Sequence, residues 1–204
     1  SAVDENQRVC ATLTNVVCLN QPGLPIKVTA DHRFRASLVG RTGYEEMVRW
    51  LSMFKGVRAT AEIQVEIAAQ ADLAAVEGFL LDLGVLLSFA QGTRVAWIHY
   101  DLFDSQGAWL YTKHDRAITG RFSSMPVIPK NVLSVEEFLN ECLQSYRASR
   151  ATIDLKLVID MITAAKQEGN YLEARALQLV ATMEFIKGQV LHASGKLTII
   201  DDSQ

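Results

Sequence analysis

The side chains best suited to ligand contact concentrate between residues 94 and 121. They combine aromatic rings with charged and imidazole groups, and they are Trp97, His99, Asp101, Trp109, Tyr111, Lys113, His114, Asp115, Arg116 and Arg121. Aromatic and basic side chains on a sheet can stack the bases of a single-stranded nucleic acid and neutralise its phosphates. The candidate binding residues are therefore Trp109, Tyr111, Lys113 and Arg116. The alternative is that alternate residues pack on a neighbouring helix while the others are solvated.

The familiar motifs of catalysis and cofactor binding are absent from the sequence. It has no glycine-rich phosphate loop, no GxGxxG, no HExxH, no GxSxG and no CxxC pair. No two of the four histidines are four residues apart, the spacing at which one helix presents two metal ligands. We therefore expect neither a metal site nor a cofactor.

Length and composition indicate an ordinary globular protein. The chain has 204 residues, 49% of them hydrophobic and 21% charged, which is enough for one large domain or two small ones. The formal net charge of −3 means that RNA binding would need a local basic patch. The three cysteines lack disulfide-framework spacing, which favours a reducing compartment, so we expect a cytoplasmic protein. The sequence also predicts no apolar run long enough to span a membrane, so we expect no membrane partner.

The first half of the chain predicts a mostly antiparallel sheet with covering helices. Apolar and polar residues alternate strictly over 57–67, which is the pattern of a half-buried strand. Periodicity and turn residues predict the remaining elements: strands over 8–19 and 26–39, helices over 43–55 and 71–90, and a hairpin of strands over 93–103 and 108–119.

The second half predicts three helices. Ser134 followed by Glu137 is a capping box, which marks the start of a helix. A second helix is expected over 152–168. Asn170 followed by Glu173 is expected to cap the last helix in the same way, and that helix runs to about residue 191.

Together these elements predict an α+β fold in two units. Residues 1–130 would form an α+β module, and residues 131–204 an antiparallel three-helix unit, because the connections between the helices are short. The alternative is a single mixed domain in which the sheet packs directly on the last helix.

The last helix is apolar nearly all the way round and carries an acid, Glu184. A helix of that kind is expected to be surrounded by other elements. We therefore expect Glu184 to be a buried structural charge paired with a cation of a neighbouring helix, such as Lys156 or Arg150.

Five segments within about residues 80–190 match, in type and order, a pattern found in a known group of proteins: 86–95, 138–146, 155–160, 171–175 and 182–185. This series resembles bacterial ApeA-like and other HEPN-domain proteins. The resemblance implies an α+β N-terminal module followed by a helical HEPN domain, the last segment matching the central helix of that domain. Some members cut RNA in anti-phage defence.

Arg94 is followed by His99 after four intervening residues, which is the formal spacing of the HEPN ribonuclease pair. In that family the pair activates and orients the RNA 2′-hydroxyl, and it lies well downstream of the central helix. On the predicted strand, moreover, residues five apart point to opposite faces. The resemblance therefore implies an N-terminal fragment that holds a sensing module and the first HEPN helices, without the nuclease motif.

We accordingly expect a non-catalytic sensing or interaction module that binds either a second copy of itself or RNA. Two alternatives stay open at this point. One is a metal-independent ribonuclease that uses Arg94 and His99. The other is binding of single-stranded nucleic acid through the hairpin at 93–119.

Overall fold

A six-stranded antiparallel sheet organises the fold, in line with the predicted antiparallel pairing but with one strand more than the sequence predicts. The computed structural model describes residues 2–3, 7–29, 33–67, 71–115, 122, 134–165 and 171–195. The strands of the sheet are β2 (Arg8–Thr14), β3 (Ile26–Thr29), β4 (Phe34–Gly40), β5 (Ala59–Ile67), β7 (Trp97–Phe103) and β8 (Trp109–His114). Their order is β3-β4-β5-β2-β7-β8, and a separate pair joins β1 (Ala2–Val3) to β6 (Ala71–Asp72).

Five helices accompany the sheet in the described part of the chain: α1 (Tyr44–Phe54), α2 (Leu73–Gln91), α3 (Val135–Ser149), α4 (Leu155–Ala165) and α5 (Leu172–Ala193). The fold is therefore α+β, which confirms the predicted class. The capping box at the start of α3 is also confirmed, since the Ser134 hydroxyl accepts from the Glu137 backbone N–H and the Glu137 carboxylate accepts from the Ser134 backbone N–H. The cap expected at the start of α5 is not formed by Glu173, because Tyr171 is the N-cap and makes no side-chain cap bond. Asn170 lies outside the described residues.

The single strand expected over 26–39 is wrong, because the chain reverses within it. β3 and β4 pair antiparallel, with Ile26 opposite Leu38 and Thr29 opposite Arg35. The residues between them contain neither glycine nor proline, so the sequence carries no strong turn signal there.

Helix α2 is the core helix of the molecule. It packs on one face of the sheet, where Val9, Ala11, Ile63 and Val65 alternate inward. Its length and mean hydropathy would also suit a membrane span, but 61% of that apolar window is buried inside the protein. Burial against the sheet therefore accounts for its composition.

The most buried charge in the described residues is Asp82 of α2, which is 1% exposed. Arg147 donates to one carboxylate oxygen at 2.8 Å, and Arg150 donates to the other at 2.6 Å. Both arginines come from the end of α3. The Arg147 guanidinium also lies over the Phe79 ring, 5.4 Å from its centroid. Two cations thus compensate a carboxylate that would otherwise be costly to bury.

Helix α3 also closes one edge of the sheet. The Asn140 side chain accepts from the backbone N–H of Thr29 and donates to the carbonyl of Lys27, each at 2.9 Å. These two bonds satisfy backbone groups of β3, which is an edge strand among the described residues.

The core is continuous across residue 130, where the sequence predicts a boundary between two units. Phe138, Leu139, Leu143 and Tyr146 of α3 belong to the same buried cluster as α2 and the sheet. Helix α3 packs mainly on α2 and β3, whereas α4 contacts both α2 and α5. Division into separately folding units at residue 130 stays a prediction.

Replacing Asp82 with Asn should destabilise the protein by about 3–5 kcal/mol, because the change leaves Arg147 without its compensating charge in a mostly buried place. Urea unfolding would measure the loss in the free energy of unfolding. The matched control is Glu62→Gln, which breaks an exposed pair with Arg41 and should cost less than about 1 kcal/mol. Equal losses in the two variants would contradict the structural role of Asp82.

The stability that the Ser134–Glu137 capping box contributes to the folded chain should depend on pH. Hydrogen bonds from Ser134 lower the pKa of Glu137, so the ionised cap stabilises the folded chain above the carboxyl's unfolded pKa and this contribution is lost as pH falls through the lower folded value. The difference in melting temperature between the wild type and Glu137→Gln should therefore shrink between about pH 6 and about pH 3. A constant difference over that range would contradict the ionised cap.

Candidate functional site

The β7–β8 hairpin has two faces with different roles. His99 pairs with His114 and Tyr100 with Lys113, but the register shifts next to Phe103, which pairs with Trp109. Because of this irregularity, Trp109 is not on the face of Tyr111 and Lys113, although simple alternation would place all three together. The predicted binding set is therefore divided between two surfaces.

The face toward α2 carries a polar group built around Glu77. The Tyr100 hydroxyl donates to the Glu77 carboxylate at 2.9 Å, and the Lys113 ammonium donates to the same oxygen at 2.5 Å. Burial raises the pKa of the Tyr100 phenol well above its usual value, and the Glu77 bond raises the pKa of Lys113. The Tyr111 ring packs on Tyr100, 6.3 Å between centroids. Tyr111 and Lys113 are thus engaged in packing and an ion pair.

The opposite face carries Trp109, which is 60% exposed. Its indole N–H points at Asp101 and Thr112, at 3.4 and 3.3 Å, and the Thr112 hydroxyl donates to the Asp101 carboxylate. A carboxylate beside the ring opposes the approach of a phosphate. Trp109 could stack a base, but its surroundings do not attract a nucleic-acid backbone.

Arg94 and His99 are not brought together as a catalytic pair. Arg94 lies before β7 on the helix side, with its guanidinium 3.9 Å from the Asp160 carboxylate of α4. His99 lies on the other face of the sheet, where its Nε2 is 3.1 Å from the Thr12 hydroxyl and its ring neighbours that of His114 at 5.7 Å. The pair would need to converge on one 2′-hydroxyl, and the sheet lies between them.

The remaining reactive groups of the described chain show no catalytic arrangement. Burial raises the pKa of the Cys10 and Cys142 thiols, which lowers their thiolate fraction at neutral pH. None of the three cysteines forms a disulfide. Within the described ranges no three His, Cys, Asp or Glu side chains gather as metal ligands. Arg116 and His32 fall outside the described residues.

The expectation that Glu184 is buried is wrong. Its side chain is 67% exposed, and its cationic contact is Lys187 on the same helix, at 3.4 Å. The reason is that α5 packs against α4 and leaves much of its circumference uncovered. The apolar composition of α5 was a correct observation, but it does not reflect burial by the part of the chain that the structure describes.

Helix α5 instead forms an exposed apolar surface that sequence reasoning missed. Only Thr182 is fully buried on it, and Arg175 anchors the helix by donating to the carbonyl of Ala165 at 2.9 Å. Its large exposed side chains are Leu172, Leu177, Leu179, Val180, Met183 and Val190. We call these six residues the α5 surface. Contiguous apolar surface of this kind marks interaction sites in soluble proteins.

Comparisons of this chain with protein-family models, curated proteins and solved structures found no match. The resemblance to HEPN-domain proteins stays a prediction.

Trp109→Ala and Tyr111→Ala should separate the two faces of the hairpin. Removing the half-buried Tyr111 ring should cost about 1–3 kcal/mol of stability, whereas removing the exposed Trp109 ring should cost less than about 1 kcal/mol. Urea unfolding measures both. Titration of a labelled single-stranded oligonucleotide adds the second readout, because a stacking role would make Trp109→Ala alone lose about 1–3 kcal/mol of affinity. Equal stability losses would contradict the assignment of faces.

Proposed function

We propose that this chain is a non-catalytic interaction module whose contact surface is helix α5. One observation carries the proposal: Leu172, Leu177 and Met183 are 76%, 71% and 69% exposed on a single helix. Large apolar side chains in such number are normally buried, and a helix that stays apolar all round is normally surrounded by other elements.

The energetics of this surface support a contact role. Burying one Leu, Val or Met side chain is worth about 1.5–3 kcal/mol when the side chain is fully removed from water. Six such side chains can together offset an association cost of roughly 4–15 kcal/mol. Leaving them in water forgoes that free energy, so a partner with a complementary apolar face would bind favourably.

The absence of an assembled reactive centre among the described residues is the second support. Asp82 is neutralised by two arginines, Glu77 by Lys113, and His99 is bonded to Thr12. These three polar groups, which could act as acids or bases, therefore each have a structural partner. A metal-independent ribonuclease using Arg94 and His99 is the weaker proposal, because those two side chains have separate partners on opposite sides of the sheet.

The resemblance to ApeA-like and HEPN-domain proteins suggests a setting for such a module. It would be the sensing or interaction part of a bacterial protein, with anti-phage defence as one role. Contact with protein is favoured over contact with RNA. The net charge is −3, and the exposed Trp109 lies beside the carboxylate of Asp101.

Site-specific photo-cross-linking tests the proposal directly. A photoreactive amino acid at position 183 should give covalent protein adducts in cells, because it would lie inside the contact. The same amino acid at Glu45, an exposed residue of α1, should give few adducts. Equal yields at the two positions would contradict α5 as the contact surface.

Incubation with single-stranded RNA checks the non-catalytic part. Purified chain should leave the RNA intact over hours. Cleavage that persists through purification and disappears in His99→Ala would show a ribonuclease and overturn the proposal. Cleavage that persists through purification but is unaffected by His99→Ala and Arg94→Ala would show a nuclease with a different active site and would also overturn the proposal.

A further inference from the structure

Helix α5 carries an apolar seam with coiled-coil spacing. Steps of four and three residues along the helix reach only apolar side chains: Leu172, Ala176, Leu179, Met183, Ile186, Val190 and Ala193. This is the alternation of the a and d positions of a heptad repeat, and it is maintained for three heptads. We call these seven residues the α5 seam.

The seam is not used for packing within the described chain. Ile186 is half-buried and the other six side chains are exposed. Helix α4 covers the neighbouring face of α5, where Thr182 is buried and Phe185 is half-buried. At 100° per residue, that face lies roughly a quarter turn from the seam. A helix with two contact faces a quarter turn apart is the geometry of a four-helix bundle.

We propose that the α5 seam binds the same seam of a second copy of this chain, antiparallel, around a twofold axis near residues 180 and 181. The two α4–α5 pairs then form a four-helix bundle. Leu179 packs against Met183 of the second copy at the centre, and Leu172 packs against Val190 at each end. Each contact occurs twice, as an isologous interface requires.

Charge complementarity selects the antiparallel direction. Glu173 and Lys187 both occupy the flanking e position, and they are equally far from Val180, which is also at e. In an antiparallel pair e faces e, so Glu173 of each copy meets Lys187 of the other. In a parallel pair these two residues would be about 20 Å apart along the axis. Lys187 is 63% exposed and its pair with Glu184 lies on the surface, so its ammonium group can reach the second copy.

The composition of α5 opposes a membrane surface as the occupant. Helices that lie on membranes carry many Lys and Arg residues on their polar face. The exposed charged residues of α5 are Glu173, Glu184 and Lys187, which sum to a net negative charge. Pairing with a second copy buries the seam and neutralises two of these three charges.

This inference rests on the proposed function and names the partner of the same surface. Light scattering on the full chain should give a mass twice the 22.6 kDa of the chain. Met183→Glu should halve that mass, because it places a carboxylate in the central layer. Ala181→Glu is the matched control, since Ala181 is exposed on the side of α5 opposite the seam and belongs neither to the seam nor to the α5 surface, and it should stay dimeric. Circular dichroism confirms that both variants are folded.

A charge exchange tests the direction of pairing. Glu173→Lys and Lys187→Glu should each raise the dissociation constant several-fold, by creating like-charge contacts, and the double variant should restore the wild-type value. A dimer that survives Met183→Glu, or single charge variants without effect, would overturn the antiparallel pairing.

The remaining outcomes separate this inference from the proposed function. A wild-type chain that is monomeric across the micromolar range while position 183 cross-links to a different protein overturns self-pairing and leaves the interaction module standing. A monomer without adducts at position 183 overturns both. Flotation with anionic phospholipid vesicles that Met183→Glu abolishes would identify lipid as the occupant, which also overturns self-pairing.

Discussion

The ion cluster of Asp82 with Arg147 and Arg150 is the constraint on which the arrangement of the helices depends. A carboxylate on the most buried helix is tolerable only if cations reach it. Arg147 in the last turn of α3 and Arg150, its C-cap residue, supply them. The cluster therefore sets how far along α2 the helix α3 can lie. With that position set, Asn140 meets the edge of β3, and one helix joins the core to the margin of the sheet.

Most of the fold could be predicted because local pattern and tertiary structure agree. Strict alternation identified β5, and Ser134 with Glu137 identified the start of α3. The buried acid was assigned to the wrong helix. Asp82 and Glu184 each interrupt an apolar run, and hydropathy cannot tell whether the chain supplies enough other elements to surround a helix. The sheet surrounds α2, whereas only α4 packs extensively on α5.

The candidate site was harder to predict than the fold, because it depends on single-residue detail. One shift in the β7–β8 register, next to Phe103, places Trp109 on the face away from Tyr111. No residue type in the hairpin predicts this shift. The α5 seam, by contrast, was readable in advance: seven apolar residues in four-and-three steps are visible in the printed sequence. The apolar composition of the last helix led to the expectation that it is buried. The four-and-three spacing of its apolar residues, which predicts a contact with another helix, was therefore not considered.

The position of β2 in the middle of the sheet has a consequence for how the protein is made. Val9 pairs with Val65, and Ala11 pairs with Tyr100. In each pair, the partner of the β2 residue therefore leaves the ribosome long after the β2 residue itself. During synthesis the nascent chain therefore presents an unpaired apolar strand until β5 has emerged, and one edge of that strand stays unpaired until β7 has emerged. Such non-local pairing slows folding and exposes strand edges to other chains. A ribosome-associated chaperone that shields β2 (Arg8–Thr14) would protect the growing chain during this interval.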